Sequence, residues 1–354
     1  MTIDYLIVGQ GVAGSVLAWT LDQRGCSVWL ADDPTLPSAS AVAAGIVNPL
    51  TGRKLVRTWR ADQLFPFLHH FYTDIEQKLG ARFFHARDIY RPFRSIEEQN
   101  DYLALTAEPA VQPYIKQAVD NESYSAYINN SFGGLAVTQA GWVDLSEFVK
   151  SIRTYFINKG QYVDASIRAT DLIIKSETVA WEGRSIGKVL FCDGVQAREN
   201  PLFAWLPYNP VKGQILTALV EDYPIKDIVN QGLFILPIQE GLVKIGATYT
   251  WHDLDWQTTE TGRQFLETKV RDILRVPYQV VSQQAGIRPS TKDRRPFVGL
   301  HPELPGVGIF GGMGTKGVSL APYLANQFAD YLLAGEDLDT EANISRHLSL
   351  YYRA

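Results

Sequence analysis

The sequence predicts an α/β protein that combines a doubly wound parallel sheet with a second, largely antiparallel sheet. An apolar, β-branched run at residues 2–8 is followed at once by a glycine-rich turn and a helical pattern. The same order of strand, glycine turn and helix returns at residues 307–334, and short alternating strands dominate residues 161–248. Strand–turn–helix units build parallel sheets, whereas closely spaced strands build antiparallel ones. We therefore expect two layers of different kinds.

The chain of 354 residues is long enough for two domains. The two strand–turn–helix units stand at opposite ends of the chain, so we expect them to meet in one discontinuous domain. That domain is predicted to contain residues 1–60, 136–205 and 285–354, and the second domain to contain residues 61–135 and 206–284.

Several elements between the two units follow from periodicity and turn residues. Residues 83–93 are predicted to form a strand with a turn at Arg91-Pro92, and a charged loop is predicted to open at Gly286. Asp144 is placed to cap a helix. Apolar residues at helical spacing predict helices over residues 64–79, 96–106, 145–159 and 258–274.

The first turn has the pattern Gly-x-Gly-x-x-Gly at residues 9–14. Gly9 permits a tight bend, Gly11 lets the backbone approach a pyrophosphate, and Gly14 lets the helix pack closely on the strand. The pyrophosphate would then lie on free N–H groups at the positive end of the helix. The pattern alone recurs by chance, but the strand before it and the helix after it make it specific for a dinucleotide.

The second apolar run, residues 27–31, ends at Asp32 and Asp33, and Asp32 lies eighteen residues beyond Gly14. A carboxylate at this distance accepts hydrogen bonds from ribose hydroxyls, and an acid here disfavours a 2′-phosphate, so FAD or NAD is preferred to NADP. Residues 38–53 are rich in Ser, Ala and Gly. They suit either a small-residue helix packed on its neighbour or a backbone that lies against a flat ring, and their position after the second strand favours the ring.

Composition excludes several classes of protein. The net charge of −5 argues against a broad nucleic-acid-binding surface. No apolar run approaches the length of a membrane span, and the chain enters a strand without a basic leader, so we expect a cytoplasmic protein. The two cysteines have no paired spacing and the six histidines form no ligand pattern, so we expect packed thiols and no metal site.

Six ordered segments resemble the D-amino-acid oxidase superfamily of FAD enzymes. Within it, the sequence is most similar to glycine oxidase and to the oxidase half of the bifunctional tRNA wobble-uridine modification enzyme. Residues 60–135 share little of the resemblance. The matching segments are VGQGVAG at 8–14 with Asp32, AVAAGI at 41–46, PVKGQIL at 210–216, KIGAT at 244–248, GIRPSTKDRRPFVG at 286–299 and GGMGTKGVSLAP at 311–322.

The resemblance implies an FAD-binding domain, a sheet-based substrate domain and a flavin ring between them. It also implies non-covalent FAD, because the segment around Arg288 lacks the cysteine that links flavin in some relatives. Residues 9–14 would hold the pyrophosphate, Asp32 the adenosine ribose, and residues 313–318 the pyrimidine edge of the flavin. By position, the expected cofactor-binding residues are Gly9, Gly11, Val12, Ala13, Gly14, Asp32, Asp33, Ser40, Ala44, Gly45, Ile46, Leu172, Met313, Gly314, Thr315, Lys316, Gly317 and Val318.

Two cations are the expected catalytic residues. Arg288 matches the arginine that binds the substrate carboxylate in the family, and its planar fork suits a bidentate pair. The alternative is that Arg288 bonds Asp293 or nearby carbonyls in its own loop. Glycine oxidase has a second arginine where this sequence has Thr315, so the resemblance does not extend to glycine as the substrate. Lys316 either supplies a cation near the flavin or points to solvent.

Three aromatic residues follow KIGAT, namely Tyr249, Trp251 and Trp256. They either form walls of a substrate pocket or pack in the core. The resemblance leaves this choice open.

The resemblance implies an enzyme that oxidises a carbon–nitrogen bond of a small amine or amino acid carrying a carboxylate, by hydride transfer to flavin. Oxidation of a 2-hydroxy acid is an alternative, although no base for it stands out. Oxidation of a tRNA side chain is a second alternative, which the acidic balance argues against. A flavin-binding partner without turnover is a third. The oligomeric state is left open.

Overall fold

The computed structural model describes residues 3–52, 54–116, 118–175, 178–239 and 241–353. Within these residues the helices are α1 (Val12–Gln23), α2 (Ala39–Val42), α3 (Ala61–Leu79), α4 (Ile96–Leu105), α5 (Glu122–Ser125), α6 (Leu145–Asn158), α7 (Glu260–Arg271), α8 (Gly317–Ala334) and α9 (Leu348–Tyr351).

The strands of the same residues form two large sheets and two small ones. They are β1 (Ile3–Val8), β2 (Val28–Asp32), β3 (Ile46–Val47), β4 (Leu50–Thr51), β5 (Val56–Arg57), β6 (Phe84–Ala86), β7 (Ile89–Pro92), β8 (Gly134–Val137), β9 (Gly141–Val143), β10 (Tyr162–Asp164), β11 (Ile173–Lys175), β12 (Thr178–Trp181), β13 (Arg184–Phe191), β14 (Val211–Leu219), β15 (Ile228–Asn230), β16 (Phe234–Gln239), β17 (Leu242–Gly246), β18 (Gln279–Arg288), β19 (Phe297–Leu300) and β20 (Val307–Gly311).

The first large sheet is built around β1. Strands β10, β2, β1, β13 and β20 run parallel in that order, and β11, β12 and β19 add antiparallel strands. Tyr5 and Ile7 of β1 pack among the helices, while Leu6 and Val8 face a second apolar cluster that includes Phe203. Because β1 is covered on both faces, it has a nearly continuous apolar sequence. The carboxyl ends of the parallel strands meet at one edge.

The second large sheet has the order β18-β14-β17-β16-β15-β7-β8 and is antiparallel except where β15 meets β7. Helix α7 covers one face of it through Leu266 and Val270, which pack with Leu216 and Ile245. The mixed α/β class with a second, largely antiparallel sheet is therefore confirmed. The residue boundaries of the two domains stay a prediction.

One predicted turn and the predicted start of the charged loop are wrong. Arg91 and Pro92 belong to β7, which pairs with β8, and the chain turns before them, between β6 and β7. Pro92 is tolerated because it is the last residue of the strand, beyond the pairing with β15. The charged loop does not open at Gly286. Residues 279–288 form β18 instead, because the whole segment pairs with β14 despite its polar, glutamine-rich sequence.

Helix α1 joins the parts of the first layer. Its residues from 13 to 22 are all buried, including polar ones. Buried Asp22 accepts a hydrogen bond from the hydroxyl of Tyr155 on α6 at 2.7 Å and pairs with Lys159. At the end of α1, Arg24 binds Asp330 of α8 at 2.6 Å. Helices α6 and α8 therefore hold α1 in place from two sides.

The predicted helices lie close to their expected positions. The Asp144 carboxylate accepts a hydrogen bond from the Glu147 N–H at 3.1 Å, so the expected cap of α6 is confirmed. Helix α3 packs on α8, where the buried Tyr72 hydroxyl donates to the Val318 carbonyl at 2.9 Å. Among the described residues, no helix is both long and apolar enough to span a lipid bilayer.

Candidate functional site

One cavity of about 1600 Å³ is lined by residues of both large sheets. Its wall includes the turn after β1, the end of β2, residues 36–46, the end of β13 and residues 311–319. The opposite wall comes from β14, β16, β18 and the aromatic segment after β17. Since single small-molecule pockets are typically about 300–1,000 Å³, this cavity has room for an extended ligand and a second, smaller one.

The first glycine turn has the geometry that its pattern predicts. Gly9 has φ +95°, and a Cβ there would lie 2.8 Å from the Cys192 carbonyl oxygen. A Cβ on Gly14 would lie 1.9 Å from the Gly9 carbonyl oxygen, so only glycine lets α1 approach the turn this closely. Gly14 thus lies behind the cavity wall, whereas Gly9, Gly11, Val12 and Ala13 line it.

The side chain of Ser40, a residue of α2, contacts the start of α1. Its hydroxyl oxygen accepts a hydrogen bond from the Val12 N–H at 2.9 Å, which leaves the hydroxyl hydrogen available to a ligand. The N-cap residue Gly11 offers no side chain of its own. The Ser-, Ala- and Gly-rich segment is therefore not a long packed helix but one short helix, α2, followed by short strands along the cavity.

Ala44, Gly45 and Ile46 follow α2 in the cavity wall. Gly45 has φ +68°, and a Cβ there would lie 2.0 Å from the Val143 carbonyl oxygen. Position 45 therefore requires glycine, because β9 passes too close for a Cβ atom.

Asp32 is held at the carboxyl end of β2 by two donors. It accepts a hydrogen bond from the Gln10 N–H at 2.8 Å and pairs with Arg153 of α6 at 2.9 Å. Burial raises the pKa of Asp32, and the bonds from Gln10 and Arg153 oppose that rise. Arg153 also donates to the Gln10 side chain at 2.7 Å, so the carboxylate that is expected to bind the ribose is fixed in orientation by the protein.

Two other expected cofactor residues have different surroundings. Asp33 lines the cavity, but its carboxylate accepts hydrogen bonds from the backbone and hydroxyl of Thr35, which lower its pKa. Leu172 does not line the cavity. Its N–H is directed at the Ala169 carbonyl at 3.4 Å and its side chain is buried in the core. Residues 165–170 line this part of the wall instead.

The second glycine turn brings the start of α8 against the start of α1. A Cβ on Gly317 would lie 2.8 Å from the Val12 side chain. The Gly314 N–H donates to the Pro289 carbonyl at 3.2 Å, which joins the turn to the residues after β18. Met313, Gly314, Thr315, Lys316, Gly317 and Val318 all line the cavity. The two helix N-termini therefore open into one cavity, as the sequence predicts.

Arg288 is the last residue of β18 and lies in the cavity wall. Its guanidinium donates long hydrogen bonds to the Thr248 carbonyl at 3.3 Å and to the Lys212 carbonyl at 3.5 Å. Gly213 makes room for it, since a Cβ there would lie 2.1 Å from Nη2. Asp293, the partner considered in the alternative, binds Arg346 instead.

The surroundings of Arg288 favour an anionic ligand. Burial lowers the pKa of the guanidinium, and no carboxylate lies within 4 Å of it in the described parts of the chain. Its only protein acceptors there are neutral carbonyls at long distances. A buried cation without a counter-ion is costly, so the cavity is suited to a carboxylate at this point.

Lys316 does not point to solvent. Its ammonium donates to the hydroxyls of Thr51, at 3.3 Å, and Thr58. Burial lowers the pKa of Lys316 to about 8. The cavity thus holds a second cation that loses its charge at mildly alkaline pH.

The aromatic residues after β17 are not core residues. Tyr249 and Trp251 are half exposed, at 50% and 53%, and their rings meet edge to face at 5.1 Å. Tyr249 and Trp256 line the cavity, and the Arg288 guanidinium lies 5.0 Å from the Tyr249 ring centre. Tyr249 and Trp256 therefore line the cavity rather than pack in the core.

Sequence reasoning missed other residues of the site. Arg153 lies on α6, far from every glycine pattern, and only the packing of α6 on α1 brings it to Asp32. Asp193 follows β13 and lines the cavity beside Gly9. Burial raises its pKa to about 7. The Asp193-Gly194 pair at the end of an apolar strand was the available signal, since carboxyl ends of parallel strands form ligand sites.

These residues fit an adenine dinucleotide with a flavin. The cradle that excludes a Cβ at Gly9 and Gly14, the carboxylate of Asp32 and two facing helix N-termini match a pyrophosphate and a ribose. The remaining cavity extends to the second sheet, where Arg288 lies. Fold and site together define a dinucleotide-dependent enzyme with a substrate pocket between two sheets.

Comparison with known proteins gives the family. The family described as FAD dependent oxidoreductase matches residues 4–331, and the chain belongs to it. The chain is therefore an FAD-dependent oxidoreductase, with FAD as its cofactor.

Its similarity to individual proteins is lower. It is 26% identical to glycine oxidase of Pseudomonas aeruginosa, over 95% of this chain and 96% of that protein. It is 25% identical to the tRNA 5-methylaminomethyl-2-thiouridine biosynthesis bifunctional protein of Marinobacter nauticus, over 93% of this chain and 55% of that protein. The crystal structure of glycine oxidase from Bacillus cereus has the same fold, with a TM-score of 0.79 at 20% identity over 95% of this chain and 96% of that one.

Proposed function

We propose that this enzyme oxidises the carbon–nitrogen bond of a small amine or amino acid that carries a carboxylate. The observation that supports this most is Arg288, a buried cation in the cavity wall with neutral carbonyls as its protein acceptors. A substrate carboxylate supplies the missing counter-ion, and the planar fork of arginine fixes its direction.

When bound, FAD would supply the redox chemistry, as the acceptor of a hydride from the carbon next to the nitrogen. The protein binds the cofactor non-covalently through residues 9–14, Asp32 and residues 313–318. Its remaining task is to orient the substrate and to keep water out. The Tyr249 ring beside Arg288 limits where the substrate lies, because it covers one side of the guanidinium.

Lys316 has a separate role in this proposal. Its ammonium, held by Thr51 and Thr58, places positive charge beside the second glycine turn. Together with the start of α8, this charge favours a cofactor that gains electrons.

Oxidation of a 2-hydroxy acid is the second candidate function. It requires a base, and Lys316, with its pKa lowered to about 8, is a candidate for that base. The tRNA side chain is a weaker candidate, because the net charge of −5 does not suit an RNA surface. The cytoplasmic location expected from the sequence stays a prediction.

Single-turnover reduction of the flavin tests the proposal. Under anaerobic conditions, holoenzyme is mixed with N-substituted glycines, D- and L-amino acids and 2-hydroxy acids, and loss of flavin absorbance is followed. We expect reduction by members of the amine series and a large loss in Arg288→Met. The matched control is Lys292→Met, which removes an exposed cation from the loop that follows β18. Reduction by hydroxy acids alone, or equal loss in both variants, would contradict the proposal.

A further inference from the structure

Arg91 is one of several arginines in the cavity wall, and it lies toward the other side of the second sheet from Arg288. Arg288 ends β18, the first strand of that sheet, and Arg91 lies in β7, the sixth. Neighbouring strands are about 4.8 Å apart, so the five intervals would span about 24 Å in a flat sheet. The two arginines therefore stand on strands that are far apart in the sheet.

The charge of Arg91 is buried and has no carboxylate within 4 Å among the described residues. The side chain is only 5% exposed. Its Nη2 donates to the Gly52 carbonyl at 3.0 Å and to the Tyr102 hydroxyl at 3.2 Å, both neutral groups. The buried Nε has no acceptor among the described residues. Glu98 on α4 binds the backbone N–H of Arg94 at 2.7 Å, and it favours the charge of Arg91 only through longer-range attraction.

This environment is costly for the protein alone. A buried cation without a carboxylate partner loses several kcal/mol of hydration that neutral acceptors replace only in part. A guanidinium that served only to join β7 to β4 would not need to line a cavity. An anion that enters the cavity supplies the missing partner.

Other polar groups converge on the same end of the cavity. Gly52, which accepts from Arg91, follows Thr51, which accepts from the Lys316 ammonium at 3.3 Å. Arg91 and Lys316 therefore both donate to the short segment of residues 51–52, where β4 ends. Asn230 of β15 also lines the cavity and follows Val229, the residue paired with Tyr90 of β7. An amide donor is thus placed beside the arginine.

We propose that Arg91 is the centre of an anion subsite, and that the substrate carries a second carboxylate or phosphate group at the end remote from Arg288. The proposal rests on the proposed function, in which Arg288 binds the first carboxylate. The natural substrate is then an elongated amino acid with an anionic group at each end.

Ligand pairs of matched length test the subsite. Unbranched dicarboxylates of about three to sixteen carbons, the monocarboxylates of the same carbon number and a series of ω-phosphonocarboxylates are titrated into oxidised holoenzyme, and the flavin absorption change gives each Kd. At one chain length we expect the doubly anionic ligand to bind at least about tenfold more tightly than its monocarboxylate, as for one charge-assisted hydrogen bond of about 1.5–3 kcal/mol. The series with the larger gain identifies the anion.

Variants assign the gain to Arg91. Arg91→Gln is expected to remove the difference between the two ligand types while the monocarboxylate Kd stays unchanged. The matched control, Arg87→Gln, removes an exposed arginine from the turn before β7 and should keep the difference. If Arg91→Gln does not fold, the chain-length series on the wild-type enzyme decides alone.

The outcomes separate this inference from the proposed function. If monocarboxylates bind and no doubly anionic ligand binds more tightly at any length, the subsite is refuted and the role of Arg288 stands. If neither ligand type binds, the carboxylate site at Arg288 fails, and the subsite fails with it.

Discussion

Arg288 and Lys316 are two cations of one cavity that respond differently to pH. Arginine keeps its charge at every accessible pH. Lys316 is charged below its pKa of about 8 and neutral above it, because burial favours the neutral amine. The positive charge available to an anionic ligand therefore falls as pH rises through about 8.

The geometry of Arg288 gives the first prediction. Arg288→Lys keeps the charge but loses the planar fork. It also loses the contact between the guanidinium and the Tyr249 ring. We expect the Kd of the carboxylated substrate to rise by about 10- to 100-fold, since a hydrogen bond to a charged group contributes about 1.5–3 kcal/mol. Anaerobic titration of the flavin measures this Kd. An unchanged Kd would mean that the carboxylate binds elsewhere.

The titration of Lys316 gives the second prediction. The affinity of wild-type holoenzyme for acetate, which does not itself titrate near neutral pH, should decrease as pH rises from 7 to 9. Lys316→Arg should remove this decrease, because its charge persists. The measurement is the acetate Kd from flavin absorbance at each pH. A wild-type Kd that is constant over this range would show that Lys316 does not contribute charge to the ligand site.

Close contacts at two glycines position the starts of α1 and α8 at the cavity. Gly14 allows the helix to rest on the Gly9 carbonyl, and Gly317 allows the start of α8 to rest on Val12. Each contact is too close for a Cβ atom. The two helix N-termini share one cavity because glycine stands at both contacts.

The third prediction concerns Gly14→Ala. The new Cβ would require α1 to move from β1, which should weaken FAD binding and lower the free energy of unfolding by about 1–3 kcal/mol, as in other overpacked sites. FAD affinity from fluorescence quenching and a thermal melt measure the two effects. Gly25→Asn is the control, because Gly25 has φ +84° with nothing near it and Asn tolerates that conformation. Equal losses in both variants would rule out a specific role of the close contact.

Elements with strong local patterns were predictable from the sequence, and elements that depend on pairing were not. The strand, glycine turn and helix at each end of the chain were found because three local patterns coincide. Strand β18 was missed because its polar residues show no alternation, and only β14 beside it makes it a strand. Arg91-Pro92 resembles a turn, although pairing with β8 keeps it extended.

The same distinction applies to the site. Arg288 was found through its resemblance to a family motif, and the cofactor cradle through glycine spacing. Arg153 and Arg91 reach the cavity from α6 and β7 through tertiary packing, and no local pattern marks either residue.

At the scale of the whole molecule, the cavity joins the two large sheets. Its walls carry the buried charges of Arg91, Arg288 and Lys316, and its lining includes both glycine turns. A protein with this arrangement gains stability when its ligands fill the cavity, because they bind only the folded state.

The fourth prediction follows from that linkage. At FAD concentrations about 1,000 times the Kd, binding should add about 4 kcal/mol to the free energy of unfolding. Apoprotein should therefore melt at a clearly lower temperature than holoenzyme, and the melting temperature should rise with added FAD. Added riboflavin, which lacks the pyrophosphate and adenosine, is the control and should have little effect. Equal stabilisation by the two would show that the glycine turns do not hold the dinucleotide.

We propose that the enzyme holds FAD non-covalently and oxidises the carbon–nitrogen bond of amines that it anchors by their carboxylate. The most direct test takes the absorption spectrum of the purified protein before and after acid precipitation, and then adds an N-substituted glycine and its neutral amide under anaerobic conditions. We expect a yellow supernatant after precipitation, bleaching by the carboxylate and none by the amide. Flavin retained in the pellet, or bleaching by both compounds at the same rate, would contradict it.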